Sequence, residues 1–515
     1  MIEPFKNQKL TDFSDKNNES KMIEAIQNVK AKLGKEYPLI INGEKIISDK
    51  KITSINPSLK NQIVGIAQRG KTEHAKKALD NSLATFERWK KSSPQERAEL
   101  LFKAAEIMRE RMLELAAWMI FESGKNWVEA DADVAEAIDF LEFYGREALR
   151  YAKGHDVTPY QGETNEAFYI PLGVGVAIPP WNFPLAILTG ITVSGIVCGN
   201  TMILKPASDT PIIGYKFMEV MIEAGLPRGV INFLTGSGGE IGEMLVKDPH
   251  VRFINFTGSR EVGLHIVEEA GKTRPNQKWI KRVVVEMGGK DAIIVDSEAD
   301  IDAAVEGVAV AAFGFQGQKC SACSRAIVDE KIYDAFLTKL EARVKKITIG
   351  DVVDPKNYMG PVSSKNAFDK IMNYIKTGKK EGRLICGGTG DDSKGFFIQP
   401  TVIADVDPHA KIAQEEIFGP VLSVIKAKDY DDALKIANNT DYGLTGAVFT
   451  KNPDKIKRSK EEFHVGNLYI NRKCTGALVD VQPFGGYNMS GTCSKAGGRD
   501  YLLYFMQAKS YCEKK

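Results

Sequence analysis

Two cysteines three residues apart, Cys320 and Cys323, lie in the stretch FGFQGQKCSACSR, Phe313 to Arg325. Such a pair can be half of a zinc site, a redox couple, or one working thiol beside a bystander. Zinc needs a second pair of ligands. The six histidines, His74, His155, His250, His265, His409 and His464, form no H-x-x-x-H frame, and there is no second C-x-x-C. A metal site is therefore disfavoured. A thioredoxin-type pair would follow a strand early in a small domain, whereas this one sits deep in a long chain behind a glycine-rich segment. Neither reading is favoured, and the residues alone do not say which thiol works.

Three further segments carry groups that chemistry could use. EMGGK, Glu286 to Lys290, places a carboxylate at the end of the apolar run RVVVE beside two glycines that leave room for a ligand; a buried strand-end Glu is costly unless paired or functional. PPWNFP, Pro179 to Pro184, presents the Asn182 amide on a chain stiffened by three prolines, which fixes its direction for oxyanion stabilisation. FTGSREVG, Phe256 to Gly263, has two glycines five apart after an apolar run. This form turns a strand into a helix and presents backbone N–H groups to a phosphate. It lacks the Lys-Ser/Thr of a P-loop, which disfavours ATP. LGVGVAI is a weak dinucleotide signal, because Ile178 stands where the third glycine belongs. Each segment alone is compatible with ordinary turn chemistry.

These groups need a scaffold, and the patterning supplies one. From Lys71 to Glu147 the chain reads as several amphipathic helices, with serine caps and Pro94 in a first turn. From Tyr169 onward, short Val- and Ile-rich runs (GVGVAIPP, TMILKPA, VINFLTG, FINFTGS, RVVVEMGGK) alternate with helical stretches, and a second alternating series follows from DAIIVD to GAVFTKN. That predicts two α/β lobes around mainly parallel sheets. Residues 1 to about 60 read as a polar arm followed by short strands around the Asn-Gly turn of PLIINGEKI. A chain of 515 residues, 43% hydrophobic and 26% charged, is a soluble protein of two or three domains, and its net charge of +2 makes no case for nucleic acid or membrane. No apolar run has membrane-spanning length, and seven scattered cysteines fit reduced thiols in the cytosol.

The ordered series PWNFP, Lys205-Pro206, FTGS, EMGGK, GQKCSACSR, EEIFGP and QPFGG resembles the motif series of the aldehyde dehydrogenase superfamily. The resemblance implies a fold of two Rossmann-like α/β lobes with a small β oligomerisation flap. The cofactor-binding domain would span residues 1–151 and 170–285, the catalytic domain 286–485, and the oligomerisation segments 152–169 and 486–515. It implies that Cys320 is the nucleophile and Cys323 a bystander, that Asn182 and the Cys320 amide hold the oxyanion, and that Glu286 is the general base. The implied cofactor is NAD. Lys205 and Glu416 would hold its riboses, Ser259 its pyrophosphate, Gly242 would lie beside the adenine, and Phe418 would wall the nicotinamide site. Ile178, Pro179, Pro180, Trp181, Phe256, Thr257 and Gly258 would line the same channel. NAD-strict relatives often carry Glu where this chain has Ser208; the missing carboxylate leaves NADP admissible.

Within the superfamily, GQKCSACSR, the block Asn471 to Gly486 and VAEAIDF at Val134 to Phe140 are similar to the 1-pyrroline-5-carboxylate dehydrogenases, which oxidise L-glutamate γ-semialdehyde to L-glutamate in proline or arginine catabolism. That similarity implies a carboxylate nest of Ser321, Gly476 and Ala477, an aliphatic slot between Phe183 and Phe484, and Glu136 and Lys319 at the rim. No proline dehydrogenase segment precedes the domain, so a stand-alone enzyme is expected, working as a homodimer or larger homo-oligomer without metal. The β-flap near Ala152 to Tyr169 and a C-terminal strand near Met506 to Cys512 are expected to exchange between subunits. A CoA-acylating relative generally lacks the base that Glu286 supplies, and a general aldehyde dehydrogenase has no need of a carboxylate nest. An inactive binding protein on the same fold would have no use for the intact Cys320, Glu286 and Asn182.

Overall fold

A computed structural model describes residues 3–515 of the chain. Two seven-stranded sheets organise it. The first runs in the order Arg282–Glu286, Val251–Thr257, Val174–Ile178, Thr201–Leu204 and Ile231–Phe233, all parallel, and ends in the antiparallel pair Leu39–Ile41 and Glu44–Ile46. The second runs from the antiparallel edge Arg383–Cys386 through Thr401–Ala404, Val421–Ala427, Arg325–Asp329, Ala292–Val295, Thr445–Phe449 and Asn467–Ile470, these six parallel. Several central strands, such as Thr201–Leu204 and Ala292–Val295, are buried at every position. This is why they read in sequence as continuous apolar runs rather than alternating ones.

In the first sheet the chain builds outward from Val174–Ile178 to one side, then crosses back to lay Val251–Thr257 on the other. The segments leaving the carboxyl ends of these two strands diverge and open a crevice, the place where ligands bind in open α/β sheets. Gly175 of the G-x-G pair is not a phosphate glycine. A Cβ there would lie 2.2 Å from the Phe253 ring, so it serves strand packing.

The helices flank the sheets as the periodicity predicts. Ser93 and Glu96 form a capping box with Pro94 at the start of Pro94–Glu110. Gly124, at φ 68°, ends Met112–Ser123, and Asn126 caps Trp127–Tyr151 through its side chain. The polar arm departs from expectation: Lys16–Lys30 is a helix, capped by Asp15, burying only Met22, Ile26 and Val29. Three apolar residues at helical spacing suffice because that stripe docks on Met112–Ser123. The strands Glu163–Pro171 and Met506–Lys514 pair antiparallel with each other in one chain, from Met506 opposite Pro171 to Lys514 opposite Glu163. They form a two-stranded ribbon whose C-terminal strand is exposed over most of its length. Among the described residues no helix is long and apolar enough to cross a membrane.

Candidate active site

The thiol sits where two cavities meet. Cys320 lines a larger cavity of about 680 Å³ at the crevice of the first sheet and a smaller one of about 110 Å³ behind it. It arrives from the second lobe: the helix Ile301–Phe313 ends, a tight turn follows, and the strand Arg325–Asp329 begins five residues after the cysteine. In that turn Phe315 and Gln316 have φ of 47° and 58°, a conformation that costs a non-glycine residue about 1 kcal/mol or more and must be held by its surroundings. The Gln316 amide donates to the Gly124 and Pro361 carbonyls at 3.1 and 2.7 Å, which holds it.

Cys323 has no access to either cavity; it is buried, with its Sγ 3.4 Å from the Arg325 carbonyl. All seven cysteines are free. The two thiols of the C-x-x-C frame are thus unequal, one open to ligand and one packed away. Burial, with Asp291, Glu416 and Glu286 nearby, pushes the Cys320 thiol well above the usual thiol range. With no cationic partner at hand, it is predominantly protonated at neutral pH.

Asn182 lies in the segment after Val174–Ile178, is 4% exposed, and lines the larger cavity. Its amide nitrogen donates to the Gln318 carbonyl at 3.0 Å, tying the loop of the first lobe to the cysteine turn of the second. Glu286 ends the edge strand of the first sheet and lines the smaller cavity with Cys320. Burial raises its carboxyl to about 7, against the opposing pull of the Ser494 hydroxyl, which donates to Oε1 at 2.6 Å, and the more distant Gly486 and Ser494 amides. A carboxyl poised near neutrality can accept a proton from water.

The larger cavity is built by strand ends. Ile178 ends one strand and Pro179, Pro180 and Trp181 follow it, Lys205 follows another, and Phe256 and Thr257 end a third that Gly258 and Ser259 follow; Gly242, Glu416 and Phe418 also line it, which leaves Ser208 alone of the expected set outside. Ser259 caps the helix Arg260–Gly271, whose N-terminus faces the cavity, a disposition suited to a phosphate. Lys205 is 5% exposed, its Nζ bonded among the described residues only to the Pro206 carbonyl at 3.2 Å, and burial lowers it to about 8. Glu416 is also enclosed and raised by burial, with the Gly289 amide donating to Oε1 at 3.1 Å. A cation and a carboxylate held half-satisfied at a phosphate-binding helix end fit a dinucleotide, whose sugar hydroxyls can engage both. Phe418, at φ 59°, packs edge-on against Trp181 with ring centroids 5.5 Å apart.

Ser208 departs from its expected place. It is exposed, its hydroxyl directed at the Gly236 carbonyl 3.5 Å away, and it does not line the cavity; the next residue, Asp209, does. Counting from Lys205 located a position but not its direction.

The smaller cavity collects Glu136, Phe183, Ser321, Gly476, Ala477 and Phe484 around Cys320 and Glu286. Gly476 has φ 77°, and among the described residues neither its amide nor that of Ala477 donates to a protein acceptor. These two N–H groups and the Ser321 hydroxyl belong to residues that line the same cavity, a donor set suited to a carboxylate. Phe140, Ile187, Ile191 and Tyr501 also wall this cavity; sequence reasoning missed them because they look like core. Burial and the nearby Asp133 and Asp139 raise the Glu136 carboxyl to about 8. Lys319 does not line the cavity. It is paired with Glu129 at 2.7 Å, because the enclosed Glu129 carboxylate needs a counter-charge. Among the described residues no group of His, Cys, Asp and Glu side chains is arranged to hold a metal ion.

The model of the aldehyde dehydrogenase family matches residues 46–511. The chain is 56% identical over 513 residues to a 1-pyrroline-5-carboxylate dehydrogenase of Geobacillus sp. (strain WCH70), covering 100% of both chains. It is 54% identical over 511 residues to that of Bacillus subtilis (strain 168), covering 99% of this chain and 98% of that one. It superposes with a TM-score of 0.98 on the 1-pyrroline-5-carboxylate dehydrogenase from Thermus with bound NAD, at 50% identity and full coverage of both chains.

Proposed function

The chain belongs to the aldehyde dehydrogenase family, and from that premise we propose that it oxidises L-glutamate γ-semialdehyde, the open form of 1-pyrroline-5-carboxylate, to L-glutamate with NAD. The observation that carries this reading is the placement of Cys320 at the wall between a dinucleotide-sized cavity and a small one lined by Ser321, Gly476 and Ala477. NAD, when bound, supplies the acceptor for a hydride.

The Cys320 thiol passes its proton to a water of the cavity, and the thiolate adds to the aldehyde carbon, forming a C–S bond while the C=O π pair moves onto the oxygen, which becomes an oxyanion. The Asn182 amide and the Cys320 backbone N–H stabilise that oxygen, a contribution of about 3 kcal/mol per donor in comparable sites. Loss of hydride re-forms the carbonyl and leaves a thioester on Cys320. Glu286 then takes a proton from water, the resulting hydroxide attacks the thioester, and the C–S bond breaks with its electron pair leaving on Cys320 as thiolate; the released acid gives up its proton, which restores the thiol, and departs as the carboxylate. Meanwhile Ser321 and the Gly476 and Ala477 amides hold the substrate's α-carboxylate, Phe183 and Phe484 flank its methylenes, and Glu136 faces its ammonium group. Residues 1–151 with 170–285 bind the cofactor and 286–485 supply the thiol. Within the segments 152–169 and 486–515, the ribbon of Glu163–Pro171 and Met506–Lys514 joins subunits, as its exposed strand edges invite, in a homodimer or larger homo-oligomer. Seven free cysteines suit the reducing cytosol.

The test is NADH formation on a panel of aldehydes with and without an α-amino acid head group. Preference for glutamate semialdehyde supports the reading. Equal kcat/KM for pentanal or benzaldehyde refutes the substrate while leaving the family chemistry intact.

A further inference from the structure

Lys125 has no place in the chemistry above, yet it is fully buried and lies between its two halves. It follows Gly124 in the loop joining the helices Met112–Ser123 and Trp127–Tyr151. Its ammonium stands 4.0 Å from the centroid of the Phe183 ring and 4.2 Å from that of Phe315. Phe183 immediately follows Asn182 and walls the smaller cavity; Phe315 belongs to the positive-φ turn that leads to Cys320. One cation therefore bridges an aromatic face from each lobe's contribution to the site.

A second tie runs through Asp133. Its Oδ2 lies 3.2 Å from Lys125 Nζ, close enough for ion pairing but not in hydrogen-bond geometry, since both atoms lack a hydrogen-bond partner. Its Oδ1 accepts from the Ala186 amide at 2.6 Å, fixing the start of the helix Ala186–Val197 that the Asn182 loop runs into. A third tie is the Gly124 carbonyl, one residue before Lys125, which accepts from the Gln316 amide at 3.1 Å. Burial lowers the Lys125 ammonium below the usual lysine range, and Asp133 and the more distant Glu129 pull it back, a costly arrangement. A methylene chain would fill the volume at lower cost.

We propose that Lys125 is a positioning residue: clamped between Phe183 and Phe315 and paired with Asp133, it sets the spacing between the loop that carries Asn182 and the turn that carries Cys320. The inference rests on the reading of Cys320 as nucleophile and Asn182 as oxyanion donor. It makes no contact with substrate, so its effect falls on the reacting atoms whatever the rest of the aldehyde. A displacement of about 1 Å between such groups costs about 10²-fold in rate.

Lys125→Met in the full chain removes the charge and keeps the length of the side chain. Rapid mixing with NAD should show the NADH burst slowed by about 10²-fold, and by the same factor for glutamate semialdehyde as for pentanal, with NAD affinity and melting temperature close to wild type. A burst at the wild-type rate overturns the proposal. So does a loss confined to the semialdehyde, which would make Lys125 a substrate ligand, or a proportional loss of NAD affinity, which would make it general scaffold. If Lys125→Met does not fold, Asp133→Asn carries the test. It keeps Oδ1 for the Ala186 amide and drops the counter-charge; a slowed burst with unchanged NAD affinity supports the proposal, and an unchanged burst overturns it. Mass spectrometry of the acylated wild-type protein separates the two readings. Acyl label absent from Cys320 defeats the proposed function itself, whereas label on Cys320 with an indifferent Lys125 defeats only this inference.

Discussion

Replacing Ser494 with alanine removes the hydroxyl that donates to Glu286 Oε1 at 2.6 Å and leaves the carboxylate with two long backbone contacts of 3.4 Å. A hydrogen bond to a charged group contributes about 1.5–3 kcal/mol, and one pKa unit corresponds to about 1.4 kcal/mol. The bond favours the ionised form, so its loss moves the carboxyl upward from its present value of about 7. Water entering from the cavity offsets part of the effect, which leaves a rise of about one unit. At pH 7 the ionised fraction then falls from about a half to about a tenth, slowing hydrolysis about fivefold, and the deficit vanishes above about pH 9. Because the proposed thioester-forming step does not use Glu286 as a base, the NADH burst should keep its wild-type rate and amplitude. The assay is rapid-mixing absorbance across about pH 5.5–9, with the steady rate after the burst read at each pH. An acid limb that stays in place or moves down would refute the assignment of this hydrogen bond. A burst that slows in parallel would show that Glu286 acts on the thiol instead.

Cys320→Ala should abolish dehydrogenase activity while Cys323→Ala keeps most of it, since only the first thiol opens to the cavities; equal losses in a steady-state assay would reverse the assignment. Asp209→Asn should raise kcat/KM with NADP relative to NAD by about fivefold, because it removes a cavity-facing carboxylate that repels a 2′-phosphate. An unchanged ratio would place the adenosine ribose elsewhere. Ala477→Pro deletes one nest N–H and should weaken both turnover of glutamate semialdehyde and inhibition by L-glutamate, leaving pentanal turnover unaffected. Glu122→Ala should destabilise the protein by about 2 kcal/mol or more in denaturant titration. Its buried carboxyl accepts from the Ile212 and Ile213 amides at 2.9 and 2.8 Å at the start of Pro211–Glu223, and their loss leaves two donors unmatched.

The candidate groups could be singled out in sequence because each lies in a short contiguous segment, and it is the order of those segments, a family motif series, that implies their roles. Glu286 ends a strand beside two glycines, Asn182 sits between prolines, and Cys320 follows a glycine-rich turn. The α/β class was equally legible, since fully buried parallel strands leave unbroken apolar runs. The helix Lys16–Lys30 was not, because its three-residue stripe gains meaning only from the helix it docks on. Tertiary structure alone decided the rest. It turned Ser208 out of the cavity and Asp209 into it, and gave Lys319 to Glu129, 190 residues away. It brought Ser494 to Glu286 across 208 residues and set Lys125 between Phe183 and Phe315. The physical reason is common to all of these. Residue type and spacing fix what a segment can do locally, whereas the direction of a side chain and the partner of a buried charge depend on which distant surfaces the packed sheets bring together.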